Sequence, residues 1–467
     1  MNRFTFGFKP LAGVLMMLLV IQACGKKEAD PEEEWMETVI RGQVTVDPEL
    51  DDTGDYSGIR LLIRHLDGVQ GERSDTLFYA ETDLDGFYEG VARYPERNFY
   101  ALSLRRSGDE LAHLSMVLAP GDTVTLNAQL PNVAGTMELS SYENDLIEQY
   151  DRLDLGVNRV LQFIQAGVVT GDTVYTELQK WSDLFWTLYD DHPQTMAGAY
   201  GAVTSAELLE GWNPEGMLER MEAMPSDNDL FVHTKFRLGS RYYAEEYGLN
   251  RSLEWIDGLI AETEGPLKRS LEMDRIRVLY DSLRVQQVAE AFEEFREEYG
   301  EDSDAQEWIE RFEVDLATLA PGAVMPDFEV VSLDGETVSR ESLLGQAYLL
   351  EFTRLNDALY QAQFDRTIAL YHIYSNSDVE FVTIPLSSTT IQAEAFFEER
   401  PKFWPIARPG TFDADLLRER FNVHTMPTRI LVDPNGRVIR KYEGEEFNDI
   451  IHGLRQVLND NLEDPTL

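Results

Sequence analysis

The sequence predicts a multidomain chain of three folded parts: an N-terminal antiparallel β-sandwich, a central all-α region and a C-terminal α/β domain. Three observations carry this reading. From Val39 to about Leu130, short β-favouring runs are separated by turn formers. Between Glu138 and Asp315 the apolar period lengthens to that of helices. Beyond about Ala320, apolar strand-like runs alternate with helical stretches. A length of 467 residues agrees, since domains run to roughly 100–200 residues each. The expected divisions are 1–23, 24–37, 38–131, 132–316 and 317–467.

Met1 to Ala23 contains no acidic residue, carries Arg3 and Lys9, and runs apolar from Leu11 to Ile21. This run is too short for a bilayer span, which needs roughly 20 residues, and has the form of a signal-peptide core. Ile21-Gln22-Ala23-Cys24 resembles a bacterial lipobox. The resemblance implies removal of residues 1–23, diacylation of the Cys24 sulfur and attachment to a membrane through the acyl chains. Each buried CH₂ of those chains is worth about 0.8 kcal/mol. Gly25 rather than Asp follows the cysteine, which in similar lipoproteins favours the outer membrane, with a periplasmic or surface-facing chain. Lys26 to Glu34 is charged and nearly free of apolar groups, as expected of a solvated tether.

In the first folded part, strands are expected at Val44–Val46, Ile59–Ile63, Leu77–Ala80, Phe99–Leu104 and Val124–Leu126. Asp83-Leu84-Asp85-Gly86 reads as an Asp-Gly hairpin turn. A calcium loop would need a carboxylate at its twelfth position, where Tyr94 stands. The phrases Asp83 to Gly90 and Leu118 to Val124 resemble a β-rich domain of unknown function. That domain precedes thioredoxin-like domains in bacterial envelope lipoproteins.

The clearest helical pattern runs from Leu271 to Tyr299, with Ile276, Leu279, Leu283, Val288, Phe292 and Phe295 on one face. Ser303-x-x-Gln306 has the form of a capping box opening the next helix. Trp181, Phe185, Trp186 and Tyr189 recur at helical spacing and are expected in a core rather than around a ligand.

The third part opens with Pro321 to Phe328 and Ser332-Leu333-Asp334-Gly335-Glu336. A core strand follows at Tyr348–Phe352, then a helix at about Ala358–Tyr374, a strand at Val379–Ile384 and a helix at Ala393–Arg400. It ends in Phe421-Asn422-Val423-His424-Thr425-Met426-Pro427, a strand, and an Asn435-Gly436 hairpin turn. This series resembles the TlpA/ResA branch of thioredoxin-like domains, which is related to the AhpC/TSA peroxiredoxins. The resemblance implies that Pro427 is the cis-proline and that the Met426 backbone lies beside the helix start at Asp357. In that family this backbone pairs with an extended peptide by strand addition.

Laid on the same pattern, Asp357 and Tyr360 occupy the two positions of the Cys-x-x-Cys pair. The family's chemistry needs a low-pKa thiolate and a second, resolving thiol. A carboxylate and a phenol supply neither, and Cys24 is the one cysteine of the chain. A peroxidatic cysteine is missing as well. Asp357 is instead suited to capping the helix. His424 is the histidine nearest this site, and no nucleophile or base stands with it in sequence. The remaining histidines show no metal-ligand spacing, and no catalytic residue, metal or cofactor is expected.

The charge balance, 40 Lys and Arg against 85 Asp and Glu for a net −45, argues against a nucleic-acid partner. The hydrophobic share of 43% excludes wholesale disorder. The expected function is therefore a membrane-anchored envelope lipoprotein with a redox-inactive thioredoxin-like domain that binds a protein or peptide, using Met426, Pro427 and Asp357. The alternatives are a TlpA-like thiol-disulfide oxidoreductase relative with lost or altered activity, and a surface glycan- or polymer-binding lipoprotein.

Overall fold

The computed structural model describes residues 35–50, 53–67, 73–377, 379–398, 400–444, 446–447, 449–451, 453–455 and 457. The expected signal peptide, Cys24 and most of the tether lie outside the described residues. The chain divides into two compact units, the first ending at Leu271 and the second beginning at Glu272.

The first unit opens with strands β1 (Met36–Val46), β2 (Arg60–Asp67), β3 (Arg73–Glu81), β4 (Phe87–Tyr94), β5 (Asn98–Arg106), β6 (Asp109–Leu118) and β7 (Thr123–Leu130). A helical turn α1 (Val133–Thr136) and a short strand β8 (Glu138–Ser140) follow. Two four-stranded sheets form, ordered β4-β1-β7-β8 and β3-β2-β5-β6. Alternation decides which side chains face inward: along β4, Tyr88, Ala92 and Tyr94 are buried, whereas Phe87, Glu89, Val91 and Arg93 are exposed. Ile40, Val44, Leu61, Ile63, Leu102, Leu104, Val124 and Leu126 close one core between the sheets. Within it the Thr38 hydroxyl donates to the Ala119 carbonyl and lies 2.6 Å from the Tyr94 hydroxyl, so the buried polar groups are paired.

Several expectations are corrected here. The sandwich is not purely antiparallel: β1 and β7 run parallel, with Ile40 opposite Val124. They are joined by a long excursion through the other sheet, and such a crossover leaves a strand free to return in either direction. The Asp83–Gly86 turn is real but is not a hairpin, because β3 pairs with β2 while β4 pairs with β1. The Asp83 carboxylate accepts from the Asp85 and Phe87 amides and turns the chain from one sheet to the other. Strands β4 and β6 were absent from the list of expected runs, and Glu138–Ser140 pairs with β7 instead of starting a helix.

Helices α2 (Tyr142–Gln165), α3 (Asp172–Asp191), α4 (Met196–Glu207), α5 (Pro214–Ala223), α6 (Asp229–Tyr247) and α7 (Leu249–Ala261) complete this unit, and α8 (Gly265–Asp281) spans the division between the two. Asn144 of α2 holds both the amide and the carbonyl of Val117 at 2.9 Å, tying the helices to β6. Phe185 is fully buried, and Trp186 and Tyr189 pack at 5.0 Å between ring centres, so this aromatic cluster is core.

In the second unit, α9 (Val285–Tyr299) and α10 (Ser303–Val314) form a helical pair. The periodic stretch from Leu271 does not run as one helix. It breaks after Asp281, where Leu283 adopts a left-handed φ of 58°. Asp302, not Ser303, caps α10, its carboxylate accepting from the Asp304 amide. A charged acceptor at a helix N-terminus gains from the macrodipole as well as from the hydrogen bond. A π-helical turn, Asp315–Leu319, follows.

The α/β part comprises β9 (Glu329–Val331), β10 (Thr337–Ser339), β11 (Ala347–Thr353), α11 (Ala358–Tyr374), β12 (Val379–Pro385), α12 (Thr390–Glu398), α13 (Ala414–Arg420), β13 (Thr428–Val432) and β14 (Val438–Glu443). β9 and β10 make the entry hairpin. The main sheet is ordered β12-β11-β13-β14, with β11 parallel to β12 and antiparallel to β13. Every residue of β11 is buried, as expected for a central strand covered on both faces. Among the described residues no helix is long and apolar enough to cross a membrane.

Candidate functional site

The candidate site lies where β11 and β13 end side by side. Phe352 pairs with Thr428, so the chain leaving β11 and the chain entering β13 emerge at the same end of the sheet. On the β11 side, Arg354 to Asp357 makes a turn closed by the Asp357 amide on the Arg354 carbonyl at 3.0 Å. Asp357 is the N-cap of α11, its Oδ1 accepting from the Tyr360 amide at 2.9 Å. Its carboxylate thus satisfies one of the amides a helix start leaves without an intrahelical acceptor.

Tyr360 is fully buried. Its ring meets Phe364 at 5.9 Å and Phe396 of α12 at 6.0 Å between centres. Burial pushes the phenol well above its ordinary pKa. Glu351 pushes the same way, and Arg429 opposes it. The group is therefore a neutral phenol at physiological pH, packed as core and unable to act as a nucleophile.

On the β13 side, the Met426–Pro427 peptide bond is cis. The Pro427 carbonyl accepts from the Gly444 amide at 2.9 Å, fixing the strand's entry to the chain after β14. Met426 is half-buried against the sheet core. Among the described residues no hydrogen bond engages the Met426 main chain. His424 has its Nε2 2.7 Å from the Asn422 Oδ1. Partial burial and the nearby Arg311 and Lys441 lower its pKa.

Beneath this end of the sheet lies an ion pair not singled out from sequence. Glu351 and Arg429 are direct cross-strand partners, and both are almost completely buried. Arg429 Nε donates to Glu351 Oε2 at 2.7 Å, and its Nη1 donates to Gln363 Oε1 at 2.9 Å. The Thr383 hydroxyl donates to Glu351 Oε1 and accepts from the Trp404 indole. The signal was present in sequence as one acid in the apolar run Ala347 to Thr353 and one base in Thr428 to Val432.

Among the described residues no group of three or more histidine, cysteine, aspartate or glutamate side chains is placed to hold a metal ion. In the sandwich, an open cleft of about 590 Å³ lies over β4, β1 and β7, lined by Arg41, Gln43, Asn127 and the exposed Phe87 among others.

Comparison with known proteins places likeness in one part of the chain. Thiol-disulfide oxidoreductase ResA of Bacillus cereus (strain ZK / E33L) is 25% identical over 146 residues, covering 31% of this chain and 82% of the relative. ResA of Bacillus subtilis (strain 168) is 20% identical over 142 residues, 30% of this chain and 77% of the relative. A crystal structure of a thiol:disulfide interchange protein DsbE from Chlorobium tepidum, so described with its function unproven, is 22% identical. It covers 29% of this chain and 97% of its own, with a TM-score of 0.25. No family model matches the chain. About 30% of the chain is thus a thioredoxin-like domain related to the ResA thiol-disulfide oxidoreductases, in a protein whose single cysteine is Cys24.

Proposed function

We propose that this chain is an envelope lipoprotein, anchored through an acylated Cys24, whose thioredoxin-like domain has lost thiol chemistry and binds an extended peptide or protein segment. The observation that carries the reading is the pairing of two features at one end of the sheet. Asp357 and Tyr360 serve as a helix cap and a core residue where the related oxidoreductases' redox pair would stand. At the same end of the sheet, where Phe352 pairs with Thr428, the Met426 main chain has its hydrogen-bonding groups unengaged among the described residues. An unpaired strand end of this kind is what an added peptide strand uses. Binding by main-chain pairing requires no thiol, so it survives loss of the cysteines. The ResA relatives are oxidoreductases by name; for this chain we retain their scaffold and not their reaction.

Capture of partners from the native envelope, comparing wild type with Met426→Arg, tests the reading. Specific proteins lost in the folded variant support it. An identical set of captured proteins refutes it. The mass of the mature N-terminus tests the anchor separately: a diacylated Cys24 is expected, and a free thiol there contradicts it.

A further inference from the structure

The loop from Phe421 to Met426, which delivers the chain to Pro427, is held from outside the sheet by the helical pair. Asn422 is nearly buried and takes a left-handed φ of 48°. Its side-chain amide donates both to the Arg311 carbonyl in the last turn of α10, at 2.7 Å, and to Asp315 Oδ1, at 2.9 Å. Its main-chain carbonyl accepts from Lys441 Nζ at 2.9 Å. That ammonium lies 3.0 Å from each oxygen of Asp315 and 3.1 Å from Glu443. The Lys441 side chain is only 4% exposed, so its charge is compensated almost entirely within this cluster.

Asp315 is positioned by the π-helical turn that ends α10. The turn is fixed at its far end, where Leu319 is fully buried in the sheet core and its carbonyl accepts from the Tyr280 hydroxyl at 2.9 Å. Aromatic packing joins the two helices, with Phe292 against Phe312 at 5.3 Å and Phe295 against Trp308 at 5.0 Å. A rigid element outside the sheet therefore makes direct hydrogen bonds to the segment four residues before Met426.

We propose that Asp315, Asn422 and Lys441 form a positioning cluster through which the α9–α10 pair sets the conformation of the Phe421–Met426 loop and so of the peptide-pairing strand end. This rests on the reading of Met426–Pro427 as the binding site. The helical pair is then part of the binding apparatus and not a spacer. Short turns of π-helix often occur where a side chain must be aimed out of helical register, and Asp315 fits that use.

Hydrogen exchange on the full chain tests this without any ligand. The variants are Asp315→Asn and Asn422→Gly. Glycine accepts the left-handed conformation, so the second variant removes the side-chain bonds without straining the backbone. We expect at least about tenfold faster exchange at the Val423 amide, which donates to the Arg418 carbonyl at 2.8 Å, in both variants, with protection of β11 unchanged. Unchanged exchange in the loop overturns the proposal. Equal loss of protection in β11 also overturns it, since the cluster would then serve only overall stability. If the loop loosens in these variants while Met426→Arg leaves partner capture unaltered, the positioning cluster stands and the binding assignment fails.

Discussion

Replacing Arg429 by methionine isolates the energetics on which the candidate site rests. The substitution roughly conserves volume but leaves Glu351, 3% exposed, without the guanidinium that donates to it at 2.7 Å. Breaking one side of a buried ion pair costs about 3–5 kcal/mol, because the remaining charge is desolvated and unpaired. The Thr383 hydroxyl still donates to Glu351, which places the expected cost at the lower end, about 3 kcal/mol. The double substitution Glu351→Leu/Arg429→Met removes both charges. It should come within about 2 kcal/mol of wild type, the residue being the lost bonds to Thr383 and Gln363. Native-state hydrogen exchange of the β11 and β13 amides reads both values in the unit concerned. A single variant costing less than about 1 kcal/mol, or a double as unstable as the single, would refute the view that these two charges compensate each other.

Three further outcomes follow from the same geometry. Asp357→Ala should destabilise the α/β unit by about 0.5–2 kcal/mol through loss of the cap, measured by chemical denaturation; no change would mean the carboxylate is not capping α11. Tyr360→Ala should cost about 3–5 kcal/mol, as for other fully buried aromatic rings, and a neutral result would contradict its role as core. Burial raises Asp281 to about 7 against its ordinary 3.8, although Arg440 at 2.8 Å opposes the shift. The folded state then holds a proton that the unfolded state has released. Stability should therefore fall as pH rises from about 4 to 7, by at most about 1.4 kcal/mol per unit from this group. Asp281→Asn should flatten that slope in denaturation curves taken across the range, and an unchanged slope would remove Asp281 as its source.

The fold was legible where local and tertiary signals agree. Tyr348–Phe352, Ala358–Tyr374 and Val379–Ile384 lie within one residue of the observed elements at each end, because apolar runs and a capped helix leave few alternatives. The parallel pairing of β1 and β7 was not legible. Alternation tells which face of a strand is buried, but it does not tell which strand lies beside it. Competition at helix ends was misread for a similar reason: Ser303 and Asp302 are adjacent acceptors, and only geometry decides between them. At the site, the capping role of Asp357 could be read from its residue type just before the helix. The roles of Asn422, Asp315 and Lys441 could not, since the contacts of Asp315 with the other two span more than a hundred positions of sequence.

The most direct test of the central claim is reduction of insulin disulfides by the mature chain with dithiothreitol as electron donor. The Asp357→Cys/Tyr360→Cys variant, which returns thiols to the two positions, is run alongside. A wild-type rate equal to that of dithiothreitol alone is predicted. A wild-type rate above that background would contradict the assignment of this thioredoxin-like domain as a binding scaffold without thiol chemistry.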